Sequence, residues 1–259
     1  MFTVVARRTA QRSCRHVISA MLSTAPTPIV EFREYELKPD HSEAYLQATT
    51  KAAELRKSLV PLRLFSMPDT GGQLNVATHA YYYSGGHAER DAARIDMAES
   101  SEWKEYLKES KPCMQNQRST IFVESPLVKK FEEIQGLASI PDSLLGDSCI
   151  LEIRRYKLIL GYDTVPKFMT LYEAGLTSKL TAEGTDPTTS LVTLLYSEVG
   201  RLNEVIEIWR HGDGTPAMER SREAARGAGP WRTSIAEIAP LAIEFTSTIH
   251  KPTVFSPLN

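Results

Sequence analysis

The sequence predicts an α+β protein built from two consecutive β-α-β-β-α-β modules whose sheets meet as one barrel. Three observations carry this reading: a strand-like stretch that recurs, a second set of matches further on, and one order of elements in both halves. Residues 29–37, IVEFREYEL, share five of nine positions with ILEIRRYKL at 150–158, an offset of 121. LNVATHAY at 74–81 stands opposite LNEVIEIW at 202–209, an offset of 128, at which Arg94, Trp103 and Pro112 also meet Arg222, Trp231 and Pro240. The growth in offset needs seven extra residues in the second copy. The turn-rich loop AEGTDPTTS at 182–190 can hold them, because surface insertions are cheap.

Each element follows from local chemistry. In the first copy, alternation over 29–37 reads as a strand, and 39–59 as a helix opening on Pro39 and Asp40. Strand-like 62–67 and 73–83 flank the turn DTGG; 87–98 and 101–110 read as a helix broken near Ser100, and 119–124 as a closing strand. The second copy gives a strand at 150–158, a helix at 162–181 and a hairpin 191–199/203–210. Helical 215–226 and 231–238 and a strand at 241–249 complete it. This order is that of the ferredoxin-like fold, an antiparallel sheet with both helices on one face. Two tandem ferredoxin-like βαββαβ modules can turn their bare faces together, giving an intramolecular dimeric α+β barrel. The division is 1–28 presequence, 29–125 first module, 126–148 linker and 149–259 second module.

The opening strands carry a polar row: Glu31, Arg33 and Tyr35 in one copy, Glu152, Arg154 and Tyr156 in the other. Val30 and Phe32, like Leu151 and Ile153, form the apolar alternates. A sheet buries its most apolar face under helices, so we expect the polar row to point into the seam between the two sheets. On the third strand Asn75, Ala77, His79 and Tyr81 match Asn203, Val205, Glu207 and Trp209. The seam candidates are therefore Glu31, Arg33, Tyr35, His79, Tyr81, Glu152, Arg154, Tyr156, Glu207 and Trp209. They admit two readings, a ligand pocket or a network that holds the halves in register, and buried ion pairs favour the second. The recurring Arg94, Arg222, Trp103 and Trp231 read as anchors of the second helix on the sheet.

The chain has 259 residues, 42% apolar and 24% charged, the composition of a soluble globular protein. No apolar run approaches the roughly 20 residues of a membrane-spanning helix, although peripheral association with a membrane stays open. The first 28 residues hold Arg7, Arg8, Arg12 and Arg15, several Ser and Thr, and no acid before Glu31. An Arg-rich, acid-free, amphipathic start is the pattern of a mitochondrial presequence, which places the protein in the matrix. Without those arginines the 30 basic residues fall to 26 against 32 acidic ones, which argues against a nucleic-acid groove. Cys14, Cys113 and Cys149 show neither disulfide nor zinc spacing.

No phosphate-binding glycine loop or nucleophile elbow occurs. The six histidines have no metal-ligand spacing, so no metal and no cofactor are expected. His79, on a central strand, is the one candidate for an axial haem ligand or a general base.

FREYELKPDHSEAYL, GGQLNVATHAYYY and ESSEWKEYL together resemble the NIPSNAP domain, over 29–125 well and over 149–257 more loosely; the ending TVFSPLN is similar to that of animal members. The resemblance implies a dimeric α+β barrel, mitochondrial residence, protein partners and a binding or adaptor role in vesicle trafficking or mitochondrial quality control. Self-association is a further option. Relatives in the wider superfamily include monooxygenases and haem-degrading enzymes, so the alternative is a barrel enzyme or haem-handling protein with a pocket between the sheets. The sequence departs from the family pattern at Tyr81, usually Trp, at Glu207 in place of His, and at KLILGYDT, where a K-P-G turn is lost.

Overall fold

The computed structural model describes residues 25–140 and 149–258. The presequence expected over 1–28 therefore lies almost wholly outside the described residues. Eight strands form a closed antiparallel barrel in the order β1-β3-β2-β8-β5-β7-β6-β4. The first module contributes β1 (Ile29–Leu37), β2 (Leu62–Thr70), β3 (Val76–Tyr83) and β4 (Met114–Glu124). The second contributes β5 (Ile150–Leu158), β6 (Thr189–Val199), β7 (Glu204–His211) and β8 (Ala242–Pro252). Each module is a four-stranded sheet with its opening strand in the middle. Its two edges pair with the other module's edges, β2 with β8 and β4 with β6, so no edge is left open.

Helices cover the outside. The first helical layer of module 1 is split at Ala52 into α1 (Ser42–Lys51) and α2 (Ala53–Leu59). α3 (Gly86–Glu99) and α4 (Ser101–Ser110) break at Ser100, whose hydroxyl caps α4 by accepting from the Trp103 N–H. After the short α5 (Leu127–Lys130), module 2 uses one unbroken α6 (Thr164–Leu180), then α7 (Gly214–Gly227) and α8 (Gly229–Ile238). No helix among the described residues is long and apolar enough to cross a membrane. Strand β4 begins at Met114, well before the predicted 119, because its first residues are polar and exposed and show no apolar alternation.

The barrel interior is lined by Val30, Phe32, Leu64, Ala80 and Phe122 of module 1 against Leu151, Ile153, Val192, Leu195, Ile206 and Ile208 of module 2. Leu137 and Ile140 of the connecting segment and Leu258 of the C-terminal tail join the same core. The seam is thus packed with side chains over much of its length. At one mouth it turns polar around a cavity of about 270 Å³, where Glu34 meets Arg155 at 3.0 Å. Glu34 and Arg155 occupy matching places in the two copies. In a symmetric dimer of one module such a position would face its own copy, and the opposite charges here are open only to a duplicated single chain.

Candidate functional site

The Glu-Arg-Tyr rows do not face the seam. The expected arrangement is reversed: Val30, Phe32, Leu151 and Ile153 fill the barrel, and the polar rows lie beneath the helices. The physical reason is the supply of partners. The packed middle of the barrel is lined by apolar side chains and gives two buried carboxylates no counter-charge, whereas the helices reach down with arginines. Glu31 accepts from Arg90 Nη2 at 2.8 Å and from the Ser119 hydroxyl at 2.7 Å, pairs with Arg33 at 3.0 Å, and has Arg94 at 3.7 Å. Glu152 binds Arg154 at 2.6 Å, Arg222 at 2.6 Å and the Ser247 hydroxyl at 2.7 Å, with His211 at 3.4 Å. Although burial opposes ionisation, these donors hold Glu31 down at about 2 and Glu152 lower still. Arg94 and Arg222 do anchor helix to sheet, and these carboxylates are their targets.

The ten candidates consequently form two clusters, one per module, rather than one shared pocket. In module 1, His79 is fully buried, stacked on Phe65 with centroids 4.3 Å apart. Its Nδ1 lies 3.0 Å from the Tyr81 hydroxyl and its Nε2 3.5 Å from that of Tyr45. Burial, with Arg56 and Arg33 nearby, pushes its pKa down, so it is neutral. Both nitrogens face phenols and one ring face is covered, so the surroundings of His79 do not fit a haem. Tyr35 completes this cluster, its hydroxyl accepting from Arg33 at 3.1 Å and its ring edge meeting His79.

Arg56, on α2, was not singled out by the sequence, yet it is the largest fully buried side chain of the cluster. Its guanidinium donates to the Tyr81 hydroxyl at 2.6 Å and the Tyr106 hydroxyl at 2.7 Å, and lies 5.0 Å from the Trp103 ring centre. Among the described residues no carboxylate forms an ion pair with it. Aromatic rings and phenols seal the space between sheet and helices.

Module 2 carries the same plan with different outcomes. The buried pattern of α1–α2, Tyr45, Thr49, Ala52, Ala53 and Arg56, recurs in α6 as Phe168, Tyr172, Gly175, Leu176 and Lys179. Lys179 is thus the counterpart of Arg56, while Tyr81 becomes Trp209 and Tyr106 becomes Ser234. The two phenols that satisfied Arg56 are gone. The Lys179 ammonium sits 3.8 Å from the Trp209 ring centre and 4.2 Å from that of Trp231. It reaches Glu207 only at 3.6 Å and has no hydrogen-bond partner among the described residues. Glu207 is held by the Tyr156 hydroxyl and the Trp209 indole N–H, each at 2.5 Å. Burial drives the Lys179 pKa down to about 7 against the pull of Glu207.

Beside Lys179 opens a cavity of about 670 Å³ between the module 2 sheet and α6, α7 and α8. Glu152, Arg154, Trp209 and His211 form its polar floor, and Ile235, Ala225 and Phe245 supply apolar walls. Sequence reasoning named Glu152, Arg154, Tyr156, Glu207 and Trp209 here but missed Lys179 and His211. The signal for Lys179 was a single basic residue on the apolar stripe of a predicted helix. Among the described residues no group of His, Cys, Asp and Glu side chains could hold a metal ion.

Comparison with known proteins gives three results. Residues 30–128 match the NIPSNAP family model. "Protein NipSnap homolog 3A" of Pongo abelii and of Homo sapiens are each 24% identical over 273 residues, covering 99% of this chain and 98% of the relative. A putative monooxygenase from Lactobacillus acidophilus shares the fold with a TM-score of 0.58 and 11% identity, over 87% of this chain and 94% of its own.

Proposed function

We propose that the chain, whose residues 30–128 match the NIPSNAP family model, is a NIPSNAP-type protein that acts in mitochondria as a non-catalytic binding protein. Its second module holds a small molecule. One observation carries the ligand: the position that Arg56 and its phenols seal in module 1 stands open in module 2. That cavity has the volume and the mixed lining of small-molecule sites. An ammonium buried without a hydrogen bond is costly, and a bound acceptor would satisfy it.

Binding of 1-anilinonaphthalene-8-sulfonate, an anionic aromatic probe, tests this reading. Saturable, one-to-one binding that quenches the cavity tryptophans is expected, and Ala225→Trp, which fills the cavity, should abolish it without changing the thermal midpoint by more than a few degrees. Probe binding that survives Ala225→Trp would sink the assignment. The mitochondrial part rests on residues 1–28, with four arginines and no acid. A fluorescent protein carrying those residues should enter mitochondria, and diffuse cytosolic fluorescence would refute it.

The adaptor role draws on one surface feature. Leu160, Tyr162 and Leu202 are exposed large apolar side chains beside Pro126, lining one shallow depression. Replacing Leu160 and Tyr162 with Asp should remove protein partners recovered from mitochondria by the native chain; an unchanged set of partners would exclude this surface. The enzymatic alternative relied on His79 in a pocket between the sheets, and that histidine is enclosed on the other side of the sheet.

A further inference from the structure

We propose that Lys179 is a reactive amine that condenses with a carbonyl compound held in the second module's cavity, forming an imine. This rests on the cavity being a ligand site. It adds a chemical step that no comparison with known proteins suggests.

Three geometric facts support it. Lys179 lines the cavity while its side chain is only 7% exposed, and its nitrogen has no hydrogen-bond partner among the described residues. Among the described residues it is the only buried lysine. Glu207 Oε2 stands 3.6 Å from the nitrogen and is fixed by Tyr156 and Trp209, so one carboxylate is positioned to move protons to and from the reacting amine. The groups that act on Lys179 are Glu207 from β7 and Arg154 and Glu152 from β5. Burial outweighs the carboxylates and brings the pKa to about 7, so near neutral pH much of the amine carries a free lone pair.

The step balances without an oxidant or reductant. The nitrogen lone pair adds to the carbonyl carbon, the C–N bond forms, and the carbonyl oxygen becomes a hydroxyl. Glu207 relays the two nitrogen protons to that oxygen in turn, the first making the hydroxyl and the second the water that leaves as the nitrogen lone pair forms the C=N bond. The cavity favours a carbonyl compound with an apolar body and a negative group: Ile235, Phe245 and Leu180 offer apolar contact, and Arg226 and Arg232 add positive charge to the lining.

The full-length protein incubated with 4-carboxybenzaldehyde and cyanoborohydride should convert the imine to a stable secondary amine, located by peptide mass spectrometry. One adduct is expected, on Lys179, forming on the order of a hundredfold faster than on surface lysines, which are almost wholly protonated at neutral pH. Its rate should rise with pH through a midpoint near 7. Lys179→Arg should lose the adduct, and 4-carboxybenzyl alcohol should slow labelling of the native chain. If the aldehyde quenches the cavity tryptophans but its adducts spread over surface lysines, the imine is refuted and the cavity stands. If it neither quenches nor labels Lys179, the proposal and the cavity reading fall together.

Discussion

The two modules solve one problem in opposite ways. Each buries a cation from its first helical layer above the third strand of its sheet. In module 1 that cation is Arg56, met by Tyr81 and Tyr106 and boxed by Phe65 and Trp103, and the space is full. In module 2 it is Lys179, with two indoles, a distant carboxylate and a cavity. An arginine can give several hydrogen bonds in a plane and suits a closed, phenol-lined box, whereas a lysine concentrates its charge at one nitrogen and shifts its pKa readily. The difference teaches that two copies of one plan can settle the same buried cation differently, one inside a filled core and the other beside an open cavity. The carboxylate beneath, Glu31 or Glu152, is common to both and marks the shared scaffold.

The sharpest way to break this contrast is to remove both cations. Arg56→Ala should destabilise the protein by about 3–4 kcal/mol, since it leaves a cavity among aromatic rings and strips two buried phenols of their donor. Lys179→Met should change stability at neutral pH by less than about 1 kcal/mol, because the ammonium makes no hydrogen bond and Glu207 keeps Tyr156, Trp209 and Arg154. Urea unfolding of both variants gives the comparison, and equal losses would show that module 2 is as structural as module 1. The pH adds a sign. The folded Lys179 releases its proton near 7 and the unfolded one near 10.5. Between those values the unfolded chain binds more protons, so the native protein should gain stability relative to Lys179→Met as pH rises through the window.

The shared carboxylates give the next effect. Glu31 falls from 4.5 to about 2 on folding, so its contribution is complete above pH 4.5 and is lost as pH falls towards 2. That is worth roughly 3 kcal/mol. Glu31→Gln should therefore lower stability at pH 7 by a comparable amount and flatten the acid limb of the stability curve over that window. Glu152→Gln should act in the same direction with its window reaching to lower pH, because His211, Arg154 and Arg222 hold that carboxylate down further. A stability curve for Glu31→Gln as steep in acid as the native one would show that the scaffold does not depend on this charge.

The strands, their order and the closed barrel were legible because apolar alternation and an internal repeat report on backbone pairing; β1 and β5 fall on the predicted residues. Which face of those strands would be covered by helices was not. The apolar content of a strand cannot say whether its polar partners come from across a barrel or from a helix above it. The recurring Arg94 and Arg222 held that information, since two helical arginines at matching places need two matching acids. Ser119 and Ser247, at the same offset, are the further partners that the repeat could have supplied. Lys179 stayed hidden for another reason: its counterpart is Arg56 only if the helices are aligned by their buried faces, and neither the first offset nor the second brings the two together.

A further effect concerns how closely the helices approach. At Gly175 on α6 an added Cβ would come within 2.5 Å of the Ser234 Oγ and 2.9 Å of the Trp231 Cα, so α8 rests against the backbone of α6. The matching residue of module 1 is Ala52, where α1 and α2 break. Gly175→Ala must push α8 outward, an overpacking that costs about 1–3 kcal/mol. It moves Trp231, one wall of the Lys179 site, so probe affinity should fall with stability. Ala52→Gly should cost only about 1 kcal/mol, through backbone freedom alone, with no change in probe binding. Calorimetric melts with a probe titration on each variant decide the matter. If Gly175→Ala kept native affinity, the close contact of α6 with α8 would not be what shapes the cavity, and the open site of module 2 would have to be traced to the loss of the Tyr106 phenol alone.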